Sequence, residues 1–135
     1  MKGWRGTCNR FLDMSRTRGI LGKIGEDLAC QELQRRGYAI LARRYRRRGG
    51  ELDIVAQDGR TTVFVEVKTR EGRDYGDGGE AVTALKRQRI VQIATDYLAR
   101  HRLNDRPCRF DVVSIQMGAD APEIIVYPHA FTADR

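Results

Sequence analysis

The stretch "GGELDIVAQDGRTTVFVEVKTR", residues 49–70, constrains the fold more than any other part of this chain. Apolar residues alternate with polar ones at a period of two, the signature of strands rather than helices. The Asp58-Gly59 dipeptide in its middle suits a two-residue type I′ turn, so the stretch reads as a β-hairpin. A loop at that dipeptide pairs Gln57 with Arg60, Val55 with Thr62, Asp53 with Phe64 and Glu51 with Glu66. One face then carries Leu52, Ile54 and Ala56 against Val63, Val65 and Val67, and is wholly apolar. The other carries Glu51, Asp53, Phe64, Glu66 and Lys68.

Two explanations compete for that second face. It is either simply solvated, as in many antiparallel sheets, or a site. Like charges directly opposite one another destabilise a strand pair, and Asp is a poor strand residue. Three carboxylates within reach of one another need cations, and Lys68 supplies one charge. A divalent metal would supply the rest and keep the acids ionised. Hard oxygen donors of this kind suit Mg2+ or Mn2+ rather than zinc.

Around the hairpin the chain reads as α-β-β-β-α-β-β in one mixed α/β domain. A helix is expected from about Ile20 to Arg36, with Leu21, Gly22, Gly25, Leu28, Ala29, Cys30 and Leu33 on one broad face. Gly37 ends it. Glu26 lies at the edge of that face, beside small residues that let the helix approach another element. Taken alone, it reads either as acidic charge near a helix start or as a metal-proximal carboxylate. "YAILARRYRR" is the first strand, and residues 70–80, with four glycines, are a mobile loop. A second helix from about Val82 to His101 buries Leu85, Ile90, Ile93, Ala94, Tyr97 and Leu98. "CRFDVVSIQM" and "EIIVYPHAF" are the last two strands. Residues 1–18 are a basic, loosely ordered arm, and 19–135 form the single domain.

Charge narrows the partners. Lys and Arg number 25 against 18 Asp and Glu, a formal net charge of +7. This excess favours a polyanion, because phosphate contacts release counterions without reading sequence. Cys8, Cys30 and Cys108 form no CxxC or Cys/His cluster, so neither a zinc site nor a disulfide framework is suggested, and reduced thiols fit a cytoplasmic protein. No run is long enough for a membrane span, and the first residues lack a signal peptide's apolar stretch. His101, His129 and Ser114 have no partner context for catalysis, and Asp111 in "RFDVV" reads as structural, paired to a nearby Arg or backbone donor.

The spacing Glu26 … Glu51-x-Asp53 … Glu66-Val67-Lys68, with "GELDIVA … VFVEVKTR … KRQRI … RFDVV", resembles the restriction-endonuclease-like PD-(D/E)XK superfamily. Within it the chain resembles the YraN-type bacterial family, similar to archaeal Holliday-junction resolvases, over roughly residues 19 to 116. The resemblance implies a restriction-endonuclease-like core, α-β-β-β-α-β with an extra C-terminal strand, its mixed sheet flanked by helices. It implies that Asp53, Glu66 and the Val67 carbonyl hold Mg2+ or Mn2+, with Lys68 beside the attacking water. Glu26 matches a helix carboxylate near the metal in resolvase-like members, and Glu51 belongs to the "GE-x-D" signature. Leu52 stands where the superfamily's name has proline, which is not a metal ligand.

The residues and the resemblance together point to a metal-dependent endonuclease acting on DNA, and the resolvase resemblance adds branched or structured DNA to the candidate substrates. Arg44, Arg47 and Arg48 before the hairpin, Arg70 after it, and Lys86 and Arg89 on the second helix are the expected phosphate contacts. Arg87 reads as a solvated cation. The resolvase resemblance also implies a homodimer presenting two sites. The alternatives are a non-catalytic nucleic-acid-binding protein that keeps the fold, and a small basic RNA-associated structural protein. The latter accounts for the net charge but not for the acidic hairpin face.

Overall fold

The computed structural model describes residues 10–72, 83–118 and 120–133 of the chain. In order these form α1 (Arg10–Arg35), β1 (Ala39–Arg47), β2 (Gly50–Asp58), β3 (Thr61–Glu71), α2 (Ala84–Arg100), β4 (Cys108–Met117) and β5 (Glu123–Phe131). One sheet runs β1-β2-β3-β4-β5. β3 and β4 are parallel, joined by the crossover through α2, and the other neighbours are antiparallel. This is the expected restriction-endonuclease-like core with its added C-terminal strand.

Helix α1 begins at Arg10, well before the expected Ile20, because its Arg-rich start carries no apolar periodicity to betray it. Residues 1–9 of the expected arm lie outside the described residues. So does most of the loop expected at 70–80, since Arg70 and Glu71 continue β3 and the described segment ends at Gly72. At the other end of α1, Gly37 adopts φ +96° and the Tyr38 amide donates to the Leu33 carbonyl at 3.0 Å, closing the last turn. Thr83 caps α2 by accepting the Lys86 amide at 3.2 Å. Leu85, expected in the buried stripe of α2, is 57% exposed instead. It sits in the first turn, ahead of where the helix meets the sheet.

Each helix covers one face of the sheet. Ala29, Cys30 and Leu33 of α1 pack with Ile54, Ala56, Val63, Val65, Val113 and Ile115. On the opposite face Ile90, Ile93, Ala94 and Tyr97 of α2 pack with Leu52, Val55, Phe64 and Phe110. Complete burial of such side chains is worth about 1.5–3 kcal/mol each. Both faces of β2 and β3 are therefore covered over most of their length, and the charged face expected on sequence grounds is confined to one end.

The hairpin register differs from expectation by one step of the turn. Asp58 pairs with Thr61, Gln57 with Thr62, Val55 with Phe64 and Ile54 with Val65. The loop is Gly59-Arg60, and Gly59 at φ +62° takes the first central position of a type II′ turn rather than the second of a type I′ turn. Asp53 thereby stands opposite Glu66 in the continued register, not opposite Phe64. Sliding the turn by one residue moves every partner by two, so the face of each side chain is preserved. The exceptions are Leu52, which joins the α2 side rather than the Ile54 side, and Asp53, which lines a cavity on the α1 side.

Those exceptions mark a break. β1 pairs Arg43 with Ile54 and Tyr45 with Leu52, while Arg44 between them adopts φ +54°. The recorded β2–β3 pairing stops at Ile54–Val65, yet β3 stays paired with β4 as far as Glu71–Met117. The sheet forks: β1 and β2 leave together on one side, β3 and β4 on the other.

Helix α1 closes on the fork at Gly25. A Cβ there would collide with the Thr69 hydroxyl of β3 and stand 3.1 Å from Thr69 Cβ, whereas one at Gly22 would meet nothing within 4 Å. Gly25→Ala is expected to destabilise the protein by about 1–2 kcal/mol, overpacking outweighing the gain in helix propensity. Gly22→Ala should be neutral or stabilise it by up to ~1 kcal/mol. Urea unfolding of both variants measures the difference, and equal effects would contradict the close approach.

A carboxylate cluster at the fork of the sheet

Beyond Ile54–Val65, the amide of Val67 is taken by a side chain. Asp53 Oδ2 accepts it at 2.8 Å. This contact holds Asp53 beside the segment Glu66-Val67-Lys68. Glu66 is only 7% exposed and forms an ion pair with Lys86 Nζ from α2. From the other face α1 brings Glu26, whose Oε1 accepts Arg44 Nε at 2.9 Å and lies 3.7 Å from Arg43. Leu21, Gly22, Glu26, Asp53, Val67 and Thr69 line a cavity of about 290 Å³. Gly22, with no side chain, leaves that cavity open.

Asp53 carries the electrostatic consequence. Burial, then the neighbouring Glu66 charge, pushes its carboxyl up to about 7, with Glu26 adding to the effect. The Val67 amide and Lys86 oppose the shift without cancelling it. A carboxyl held half-protonated near neutrality is one whose negative charge is under-compensated.

The expected site residues divide. Asp53, Glu66 and the Val67 backbone come together directly, Glu26 joins them from α1, and Lys68 follows on β3 two residues beyond Glu66, half-buried. Glu51 does not join the cluster: its carboxylate pairs with Arg46 Nε at 3.0 Å. It lines a second cavity, about 390 Å³, with Gly49, Gly50, Leu85, Lys86 and Arg89. Among the described residues no three His, Cys, Asp or Glu side chains gather as a ready-made metal group. Of the three hairpin carboxylates, Asp53 and Glu66 stand at the fork and Glu51 does not, while Glu26 lines the cavity wall. Of the expected phosphate contacts, Lys86 and Arg89 line the second cavity, and Arg48 sits in the exposed β1–β2 turn. Arg70 lies near the end of β3, while Arg44 is held by Glu26 and Arg47 by Asp96.

Several contributors escaped the sequence reading. Asp96 accepts Tyr45 Oη at 2.8 Å, Arg47 Nε at 2.9 Å and Arg100 Nε at 3.0 Å, tying α2 to β1. These hydrogen bonds, the tyrosine's foremost, lower its carboxyl to about 2. Only its i, i+4 spacing to Arg100 was visible in sequence. Asp27 binds Arg43 at 2.7 Å, seating α1 over β1. Asp111 proves structural as expected, fully buried and accepting Arg109 Nε at 3.1 Å and the His129 amide at 3.1 Å.

Asp53 yields a pH prediction. Its folded-state value near 7 exceeds the ordinary 3.8, so the folded protein holds a proton that the unfolded chain loses between those values. Stability is consequently lost as pH rises from about 4 to about 7, and the full cost applies above 7. Asp53→Asn keeps an acceptor for the Val67 amide and removes that cost. With chelator present, its melting temperature should exceed wild type at pH 8, with the gap closing toward pH 4. A gap independent of pH would contradict the shift.

The uncharacterised protein family UPF0102 matches residues 25–115. A UPF0102 protein of Symbiobacterium thermophilum is 53% identical over 100 residues, covering 74% of this chain and 85% of the relative. One from Geobacter metallireducens is 50% identical over 111 residues, covering 82% and 91%. Another, from Syntrophotalea carbinolica, is 45% identical over 121 residues, covering 90% and 98%. The solved structure of Pyrococcus furiosus SfsA in complex with Ca2+ is similar at a TM-score of 0.39 and 18% identity, over 83% of this chain and 63% of that one. Among the described residues no helix is long and apolar enough to cross a membrane. The matched segment runs from Gly25 beside the helix carboxylate to Ile115 in β4, and the chain belongs to the uncharacterised protein family UPF0102, the YraN-type family its motifs resemble.

Proposed function

We propose that this protein is a metal-dependent endonuclease that hydrolyses phosphodiester bonds in DNA, with branched or structured DNA among the substrates to test. The observation that carries the reading is the Asp53–Val67 contact, which brings an aspartate carboxylate beside Glu66-Val67-Lys68 at the open fork of a restriction-endonuclease-like sheet.

The donor chemistry fits a hard divalent cation. Asp53, Glu66 and the Val67 carbonyl offer oxygens only, and burial beside Glu66 and Glu26 raises the Asp53 carboxyl, a shift that a bound cation would oppose. A donor set this small suits Mg2+ or Mn2+, which retain several waters. Bound there, such an ion supplies Lewis-acid polarisation of the phosphate and a lowered pKa for water.

The chain's own residues supply the rest. Lys68 serves first to orient the nucleophile and stabilise developing negative charge, and second as a general base. Glu26, steadied by Arg44, flanks the cavity on the side away from Lys86 and orients water there. Lys86 and Arg89, with the Gly49-Gly50 turn, form a wall that accepts phosphates of a strand approaching along the second cavity. Arg48 and Arg70 extend that positive surface, while Arg44 and Arg47 hold acids of the site and of α2 in place.

Cleavage of linear, flapped and four-way-junction DNA with Mg2+, Mn2+ or chelator tests the reading. Cutting is expected with either metal and none with chelator. Asp53→Asn, Glu66→Gln and Lys68→Ala should each lower the rate about 100-fold or more. Salt-sensitive DNA binding without metal-dependent cutting would instead leave a non-catalytic binding protein.

A further inference from the structure

Glu66 poses a question that its assignment as a metal ligand does not answer. It is 7% exposed, and its carboxylate is already occupied by Lys86 Nζ. A buried carboxylate must be compensated by something, and here the compensating charge comes from a different element, α2. We propose that Lys86 is a displaceable counter-ion: it neutralises Glu66 while no divalent cation is bound, and is released into the neighbouring cavity when one arrives. This rests on the reading of Asp53 and Glu66 as metal ligands.

Three features suit Lys86 to exchange. Its backbone is fixed, because its amide donates to the Thr83 cap at 3.2 Å, so a swing involves the side chain alone. That side chain is 51% exposed, and a lysine is a compact charge on a flexible stem whose donors rotate freely. The space it would enter exists: Lys86 lines the 390 Å³ cavity together with Arg89, Gly49 and Gly50. Glu26, by contrast, is shared by two arginines, Arg44 Nε at 2.9 Å and Arg43 at 3.7 Å, so losing either leaves it a counter-charge.

A lysine and a cation that share one carboxylate compete, so removing the lysine strengthens metal binding. The test is calorimetric titration of Mn2+ into chelator-stripped full chain at fixed ionic strength. Lys86→Gln should bind Mn2+ about threefold to tenfold more tightly than wild type, the range expected for losing one partly exposed ion pair. Arg87→Gln, an equal charge change one residue along α2, should stay within about twofold. Glu66→Gln should lose the binding. Unchanged or weaker affinity in Lys86→Gln, or an equal gain in Arg87→Gln, overturns the counter-ion role while leaving the metal site standing. Absence of Mn2+ binding in wild type and Lys86→Gln alike overturns both.

Discussion

The hydrogen bond from the Val67 amide to the Asp53 carboxylate is where this sheet stops being an ordinary sheet. Up to Ile54–Val65 the backbones of β2 and β3 satisfy one another. One step further a side-chain oxygen replaces a carbonyl as acceptor, so the donor is satisfied without the strands staying together. β2 follows β1, β3 follows β4, and a gap opens whose walls carry acids. Without that substitution, splaying the strands would leave a buried amide unpaired, at a cost of about 1–3 kcal/mol. Because the carboxylate does the pairing, the group that satisfies the open strand is also one of the proposed metal ligands.

The cluster is compensated from both sides of the sheet. Glu26 of α1 is met by Arg43 and Arg44 of β1, and Glu66 of β3 by Lys86 of α2. Arg44 reaches Glu26 from a left-handed backbone at φ +54°, a conformation that costs a non-glycine residue about 1–2 kcal/mol. Both the strained arginine and the pushed-up Asp53 carboxyl lie at the same level of the sheet, where β1 skips a pair. Helix α1 can seat its carboxylate over this level because Gly25 lets it close against Thr69.

Much of this was legible in sequence, and the failures share a cause. Period-two alternation placed Phe64 and Glu66 correctly on the face opposite Val63 and Val65, since a turn displaced by one residue preserves the faces of paired residues. The turn itself was misjudged because Asp58-Gly59 fits two turn types, and only the backbone shows that Gly59 comes first. Leu52 and Asp53 were assigned to the wrong faces, and Glu51 to the cluster, because strict alternation was carried through Asp53. The kink there arises from Arg44, on another strand, and from a side-chain acceptor. Neither can be read from β2 alone. Lys86 and Arg44 were legible as cations but not as partners of particular acids, since those pairings join residues 20 and 18 positions apart.

The costs concentrated at the fork are tolerable because the clamps lie elsewhere. Asp96 gathers Tyr45, Arg47 and Arg100 and fixes α2 to β1 below the opening. Asp111, fully buried, fixes β4 to β5 through the His129 amide and holds Arg109, which reaches on to Asp58 and Tyr38. In these clamps each acid has its donors, and Asp96 is held well below the ordinary carboxylate range. At the fork the arrangement is inverted: Asp53 has Glu66 and Glu26 for neighbours and is held far above that range. An acid placed so in a chain able to satisfy its other buried acids is poorly explained by packing. It accords with the divalent-cation role proposed for Asp53 and Glu66.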